Sequence, residues 1–383
     1  MISAGEASGD AHAAHALAAL QERLPEVTSF GMGAEHLQST GTELIVDSRD
    51  LAVIGFVDVL LNYHKFLQRL KKLRTAMTER HPDLLVLVDF PDFNLKLAET
   101  AKSLGIPVLF YVSPQVWAWR PKRIHRIGQL VTHMAVLFPF EVSYYERENI
   151  PVTYTGNPLV DDIDCTLTQE QAKEYLGLSQ SGKTVALLPG SRQGELQRHL
   201  PVMLAAAEQL CKAYPDIQFV LPRANSLSID SIMAIVDAHA CKPVLVDGQA
   251  QQAMRSADVV VCASGTATLE TALIGTPMVL VYRMNKLNYE IMRRLIKIPD
   301  IGLVNIVAEK RIVPELIQND VSAEGIVDSV RSLLDNPTLY QEQVQELESV
   351  KKKLGEGGAS GRVADLMMTL LATDSVQKMS SSE

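Results

Sequence analysis

Short continuous apolar runs recur along this chain, and amphipathic stretches separate them. Leu84–Val88, Pro107–Val112 and Met134–Phe138 read as strands, with a helix over Asn94–Leu104 between the first two. The rhythm restarts after Pro151. Strands at Val185–Leu188, Gln218–Leu221, Val244–Val246, Val259–Cys262 and Met278–Tyr282 alternate with helices over Pro201–Ala213, Ile229–Ala240, Gln251–Ser256 and Thr268–Ile274. Runs that are apolar on both faces belong to parallel sheets covered by helices on either side. Two consecutive series predict two doubly wound α/β domains, with the linker near Gly156–Leu176. Helices over Ile326–Leu334 and Leu339–Leu354 end the second series. A last helix around Gly361–Leu371 is expected to cross back to the first domain, and the polar Asp374–Glu383 to fray. The predicted domains are residues 1–160 and 161–355, with 356–383 as the crossing helix and tail.

The first strand is unusual. Gly5–Asp10 reads as the loop after it, which leaves only Met1–Ala4 where a strand ordinarily runs about five or six residues. Either the true start lies upstream or a stub stands in a central position, which would put the stability of that sheet in doubt.

Two glycine loops carry the most chemistry. Pro189-Gly190-Ser191-Arg192 follows one apolar run, and Ser264-Gly265-Thr266-Ala267 follows another, with Glu270 one turn on. A strand, a glycine turn and a helix start bring unpaired N–H groups and a positive helix end to one point, which suits a phosphate. Two such sites in one domain point to a diphosphate ligand such as a nucleotide-sugar, although either loop alone is also an ordinary βα turn. Neither loop fits the Walker or dinucleotide fingerprints.

Asp89 directly follows the Leu84–Val88 run, where α/β domains place ligands. Partial desolvation there raises the pKa of a carboxylate and makes it a stronger base; the alternative is a loop-bracing or capping carboxylate. Asp92 reads as an N-cap. Gly5–Asp10 either lets a substrate approach the backbone or is a glycine turn with Ser8 or Asp10 as N-cap. Trp117 and Trp119, beside Arg120, either wall a substrate or pack. Ile54–Leu61 is apolar and runs into Phe66–Arg74, which has a basic face. That combination suits an anionic bilayer surface, or else a core helix with a solvated side. Val313–Gln318 is expected to start a short helix. With Asn305 it either reads a base or ribose or caps helices.

The net charge of −9 argues against nucleic acid as a partner of the whole chain. Cys165, Cys211, Cys241 and Cys262 form no C-x-x-C pair and read as reduced cytoplasmic thiols, and scattered histidines suggest no zinc site. No run approaches the ~20 apolar residues of a membrane span, and the N-terminus is not that of a signal peptide.

Five segments resemble one family, the lipid-A-disaccharide synthases. They are Ala4-Gly-Glu-Ala-Ser-Gly-Asp10, Asp89-Phe-Pro-Asp-Phe-Asn94, Tyr111-Val-Ser-Pro-Gln-Val-Trp-Ala-Trp-Arg120, Leu187-Leu-Pro-Gly-Ser-Arg192 and Ala263-Ser-Gly-Thr-Ala-Thr-Leu-Glu270. With a weaker match around Asn305–Gln318 they span most of the chain, and the tryptophan segment is the most specific. The resemblance implies a GT-B fold, two Rossmann-like domains facing a cleft. It implies an inverting glycosyltransferase that joins UDP-2,3-diacylglucosamine to 2,3-diacylglucosamine 1-phosphate (lipid X), giving a β(1→6) disaccharide 1-phosphate and UDP. No metal or cofactor is implied. The expected location is cytoplasmic, peripheral on the inner face of the bacterial inner membrane, and relatives point to a homodimer.

Carried onto this sequence, the resemblance makes Asp89 the base and Arg192 the stabiliser of the leaving group. Gly190, Ser191, Arg192, Ser264, Gly265, Thr266 and Ala267 would hold the diphosphate and Glu270 the ribose. Asn305, Glu315 and Gln318 would complete the nucleotide side. Gly5, Ser8, Gly9, Asp10, Asn94, Ser113, Trp117 and Arg120 would meet the acceptor, and Ile54, Phe56, Val57, Leu60, Leu61, Arg69 and Lys72 the membrane. Asn157 stands where many relatives have histidine. The alternatives are a GT-B enzyme of UDP-N-acetylglucosamine (a peptidoglycan glycosyltransferase or a 2-epimerase) and an inactive sugar-nucleotide or lipid-binding protein.

Overall fold

The computed structural model describes residues 1–49, 63–118, 121–163, 166–285, 289–290, 293 and 299–380. The chain divides into two compact units, Met1–Asp161 with Glu356–Glu383, and Asp162–Gly355. The expected membrane-facing Ile54, Phe56, Val57, Leu60 and Leu61, and the acceptor candidate Arg120, lie outside the described residues.

The first unit holds a seven-stranded parallel sheet: β1 (Ile2–Ala4), β2 (Phe30–Gly33), β3 (Glu43–Asp47), β4 (Leu85–Val88), β5 (Val108–Tyr111), β6 (His133–Val136) and β7 (Val152–Tyr154), in the order β3-β2-β1-β4-β5-β6-β7. β1 has three residues and is nevertheless central. Ile2 and Ser3 pair with Gly31 and Met32 of β2, and Ile2–Ala4 pair with Val86–Val88 of β4. Pairing on both edges compensates for its shortness. Leu85, Leu87, Phe93, Leu97 and Phe110 are fully buried in the core against Leu73 and Met77 of helix Tyr63–Arg80. The last helix, Ala359–Ser380, packs along helix Ala7–Arg23. Asp161 accepts from the N–H groups of Gly358 and Ala359 at its start, and Arg23 pairs with Asp365 at 2.6 Å. No described helix is long and apolar enough to cross a membrane.

The second unit holds a six-stranded parallel sheet: β8 (Thr184–Leu188), β9 (Gln218–Arg223), β10 (Val244–Asp247), β11 (Val259–Ala263), β12 (Met278–Tyr282) and β13 (Glu315–Ile317), in the order β10-β9-β8-β11-β12-β13. Two sequence expectations are corrected here. Val313–Gln318 does not start a helix. Glu315–Ile317 adds an edge strand, pairing with Leu280–Tyr282, and a single 3-10 turn over Gln318–Asp320 follows. Three apolar residues have too short a period to choose between the two states, and the open edge of β12 decides it. The helix after β8 starts at Gln193 rather than at Pro201, which sits inside it.

Candidate active site

Both sheets reverse strand order once, between β1 and β4 and between β8 and β11. The carboxyl ends of strands flanking such a reversal diverge and leave a crevice, where α/β folds bind ligands. Gly5 and Asp89 follow β1 and β4. Gly190 and Gly265 follow β8 and β11. The residues singled out by sequence therefore fall at the two switch points.

In the first unit, the Gly5 N–H donates to Asp89 Oδ1 at 3.0 Å. Asp89 and Phe90 both adopt left-handed backbone, with φ of 51° and 42°. Non-glycine residues held there cost about 1–3 kcal/mol each. Asn94 offsets this. It is fully buried, and its Nδ2 donates to the carbonyls of Ser3, Val88 and Asp89 at 3.2, 3.1 and 2.8 Å while its Oδ1 accepts from Ser3 Oγ at 2.7 Å. Phe90 stacks on Phe93 at 5.5 Å. This strained turn presses Asp89 against Gly9, where an added Cβ would lie 1.8 Å from Asp89 Oδ2. That oxygen is buried and has no hydrogen-bond partner. Burial pushes the carboxyl up to about 8; the Gly5 and Glu6 N–H groups oppose this, and the charges of Glu6 and Asp10 add to it. Asp89 is thus a desolvated acid with one oxygen left without a partner.

The other acceptor candidates divide by what their polar atoms already do. Asp10 accepts from the N–H groups of Ala34, His36 and Leu37 at 2.6, 2.9 and 3.4 Å, so it caps the short helix Glu35–Ser39. Ser8 is exposed at the start of helix Ala7–Arg23. Ser113 Oγ contacts Tyr145 Oη at 2.7 Å, and Trp117 Nε1 donates to Glu141 Oε1 at 3.2 Å. Asn157 is buried, and its Oδ1 accepts from the Leu159 N–H. The amide in that position braces a turn.

In the second unit, a pocket of about 460 Å³ opens over the switch point. It is lined by Gly190, Ser191, Arg192, Glu195, Arg223, Asn225, Gly248 and the run Ser264–Ala267 with Glu270. Gly190 has a φ of 110°, which only glycine tolerates without strain. Arg192 stands 78% exposed with Glu195 Oε1 at 3.4 Å, so its guanidinium reaches solvent over the pocket. Gly265, Thr266 and Ala267 lead into helix Ala267–Ile274; the N–H groups of Thr268 and Leu269 already donate to the carbonyls of Gly265 and Thr266, and those of Gly265–Ala267 precede the helix's own hydrogen bonds. Burial raises the Glu270 carboxyl above its usual range, with Asp162 adding to the effect.

Asn305, Glu315 and Gln318 are placed differently. Asn305 is fully buried, donates to Val313 O and Glu315 Oε1, and accepts from the N–H groups of Ile312 and Val313. Glu315 accepts from the N–H groups of Ile301 and Gly302, and Gln318 Oε1 accepts from that of Met284. Asn305 and Gln318 brace loops, and Glu315 sits at the start of helix Leu303–Ala308.

Arg223, Asn225 and Gly248, which line the pocket, escaped the sequence reading, and so did three residues that brace the loops. Glu195 Oε2 accepts from the N–H groups of Ser191 and Arg192 at 3.1 and 3.3 Å, covering the phosphate loop from within. An acid three residues after an N-cap is the capping-box spacing that would have found it. His199 is fully buried beneath that loop. The Arg283 N–H donates to its Nε2 at 2.9 Å, so Nδ1 carries the proton and donates to Pro189 O at 2.9 Å. Burial lowers its pKa, which keeps it neutral. Glu141 is the third.

Two parallel-sheet units, each with one switch point, are the architecture of the GT-B class. Solved structures agree on the fold. Neisseria meningitidis UDP-GlcNAc 2-epimerase bound to UDP-GlcNAc superposes with a TM-score of 0.62 at 14% identity, covering 97% of this chain and 99% of that one. Acinetobacter baumannii MurG gives 0.58 at 13%, covering 96% and 98%. At that identity the likeness shows the fold alone. The family is shown by sequence. The model of lipid-A-disaccharide synthetase matches residues 1–362, and the lipid-A-disaccharide synthase of Geobacter sulfurreducens is 43% identical over 371 residues, 97% of each chain. This chain belongs to that family and is a glycosyltransferase of lipid A disaccharide formation. The epimerase and inactive-binder alternatives are not favoured.

Proposed function

We propose that this enzyme joins UDP-2,3-diacylglucosamine to lipid X by one in-line displacement with inversion, without a metal. The acceptor's 6-hydroxyl oxygen bonds to the anomeric carbon as the bond from that carbon to the diphosphate breaks. UDP leaves with the electron pair, and the hydroxyl proton passes to Asp89 Oδ2. The single observation that carries the reading is that oxygen, buried and unpartnered beside Gly9 at the β1/β4 switch point. A primary hydroxyl is a poor nucleophile near neutral pH and needs such a base. Arg192 and the N–H groups of Gly265–Ala267 take the charge that grows on UDP, Gly190, Ser191 and Ser264 complete the phosphate cradle, and Glu270 accepts from the ribose hydroxyls.

Both substrates carry acyl chains, so the reading places the enzyme at an anionic membrane surface. In support, helix Tyr63–Arg80 buries Leu70, Leu73 and Met77 while Lys65, Leu67, Lys71 and Lys72 are exposed. The test is an assay with radiolabelled lipid X and UDP-2,3-diacylglucosamine in EDTA. Disaccharide formation is expected. Its absence from the folded enzyme would refute the reaction, and its absence only in EDTA would refute the metal-free reading.

A further inference from the structure

Glu141 is 3% exposed, and its two carboxylate oxygens accept from donors on two different loops. Trp117 Nε1–H reaches Oε1 at 3.2 Å, and the Phe138 N–H reaches Oε2 at 3.1 Å. The Leu137 N–H also faces it, while the Ser113 hydroxyl donates to Pro114 O at 3.0 Å and contacts Tyr145 Oη at 2.7 Å. Capping helix Pro139–Glu146 needs only one of these oxygens, and a surface glutamate would do it. The second oxygen ties two loops together. One follows β5 and carries Ser113 and Trp117; the other follows β6 and carries Leu137 and Phe138. β6 neighbours β5, which neighbours β4, so both loops leave the same sheet edge as Asp89. Phe140 closes the brace by meeting the Trp117 ring edge-on at 5.3 Å and stacking on Phe138 at 5.5 Å.

We infer that Glu141 is a positioning residue for the acceptor: its carboxylate holds the Ser113–Trp117 loop in register with Asp89. The inference rests on the proposed reaction and on the expectation, drawn from the family resemblance, that Ser113 and Trp117 meet its acceptor.

Only an ionised carboxylate can accept from all these donors. An amide turns its own N–H₂ toward one of them, and a protonated acid loses an acceptor site. Burial pushes Glu141 up to about 7, so the brace is complete above that pH and weakens below it. Among the described residues, the titratable group facing it is Tyr145, whose hydroxyl is pushed up by burial and stays neutral throughout this range.

The test compares wild type with Glu141→Gln at pH 8, measuring KM for lipid X, KM for UDP-2,3-diacylglucosamine and kcat. A lost buried hydrogen bond to a charged group corresponds to about tenfold or more. The lipid X KM is therefore expected to rise by about tenfold, with the donor KM within about twofold. Equal rises in both, or no change in either, would overturn the inference. A second readout does not depend on the variant folding or on the reaction. Tryptophan emission of the wild type, titrated from pH 6 to 8.5, is expected to change with a midpoint near 7, and Trp117→Phe to abolish that change. Emission that is flat, or unaltered by Trp117→Phe, would sink the brace. A wild type that makes no disaccharide yet shows the Trp117-dependent transition would refute the proposed reaction and keep the brace.

Discussion

Replacing Asp89 by Asn should make the enzyme nearly inactive and, at high pH, more stable. Asparagine copies the shape of the protonated acid and keeps an oxygen for the Gly5 N–H, but it cannot take a proton. Loss of a general base costs about 10²–10⁴-fold in kcat. The stability effect follows from burial. The folded protein holds this proton up to a pH of about 8, whereas the ordinary carboxyl releases it near 3.8. Between those values the folded state binds more protons than the unfolded chain, so wild-type stability falls as pH rises through the window and levels off above it. At about 1.4 kcal/mol per tenfold change in acidity, the ceiling is about 5–6 kcal/mol. Water entry and relaxation around a buried charge reduce this, and we expect about 1–3 kcal/mol at pH 9. Thermal melts of both proteins from pH 4.5 to 9 read it directly, at about 2–4 °C per kcal/mol for a domain of this size. The gap should widen as pH rises, and wild-type kcat should climb over the same range. A variant no more stable than wild type at pH 9, or one that keeps a third of the activity, would refute the reasoning.

Other outcomes test other parts of the site. Gly9→Ala drives a methyl into Asp89 Oδ2, so activity should fall by at least about tenfold with about 1–3 kcal/mol of destabilisation, read by kcat and a melt at one pH. Arg192→Ala removes an exposed side chain: stability should stay within about 0.5 kcal/mol while turnover drops by about 10²–10³-fold, and a melting change without a kinetic one would remove Arg192 from the chemistry. Asn305→Ala leaves buried N–H and C=O groups without partners, so it should cost about 1–3 kcal/mol, while UDP affinity, measured by calorimetry below the transition, should change less than about threefold. Lys71→Glu with Lys72→Glu should weaken sedimentation with anionic vesicles without altering the melt, by about 1 kcal/mol per charge removed.

Much of this was legible locally. A glycine turn after an apolar run marks a βα junction whatever surrounds it, so the loops at Gly190 and Gly265 and the acid at Asp89 were found by position alone. The failures have a common cause, which is that long-range pairing decided them. Glu315–Ile317 is a strand because β12 offers an open edge 35 residues upstream in register. His199 matters because its two acceptor and donor partners lie 10 and 84 residues away. Trp117 and Glu141 meet across 24 residues. No local window contains these pairs.

The division between chemistry and architecture is likewise invisible in sequence, because the same residue types serve both. Asp10 is a buried acid and Asp89 a half-buried one beside neighbouring strands of one sheet, yet one accepts three N–H groups and the other leaves a buried oxygen without a partner. A desolvated acid with an open lone pair is a strong base. Folding alone does not favour the second arrangement, which costs both the strain at Asp89 and Phe90 and the burial of an unpaired oxygen. Asn94, which holds three carbonyls of the strand ends, keeps that turn in place. In the proposed reaction the fold therefore holds a destabilised group where a proton must move, and uses the saturated polar residues around it to do so.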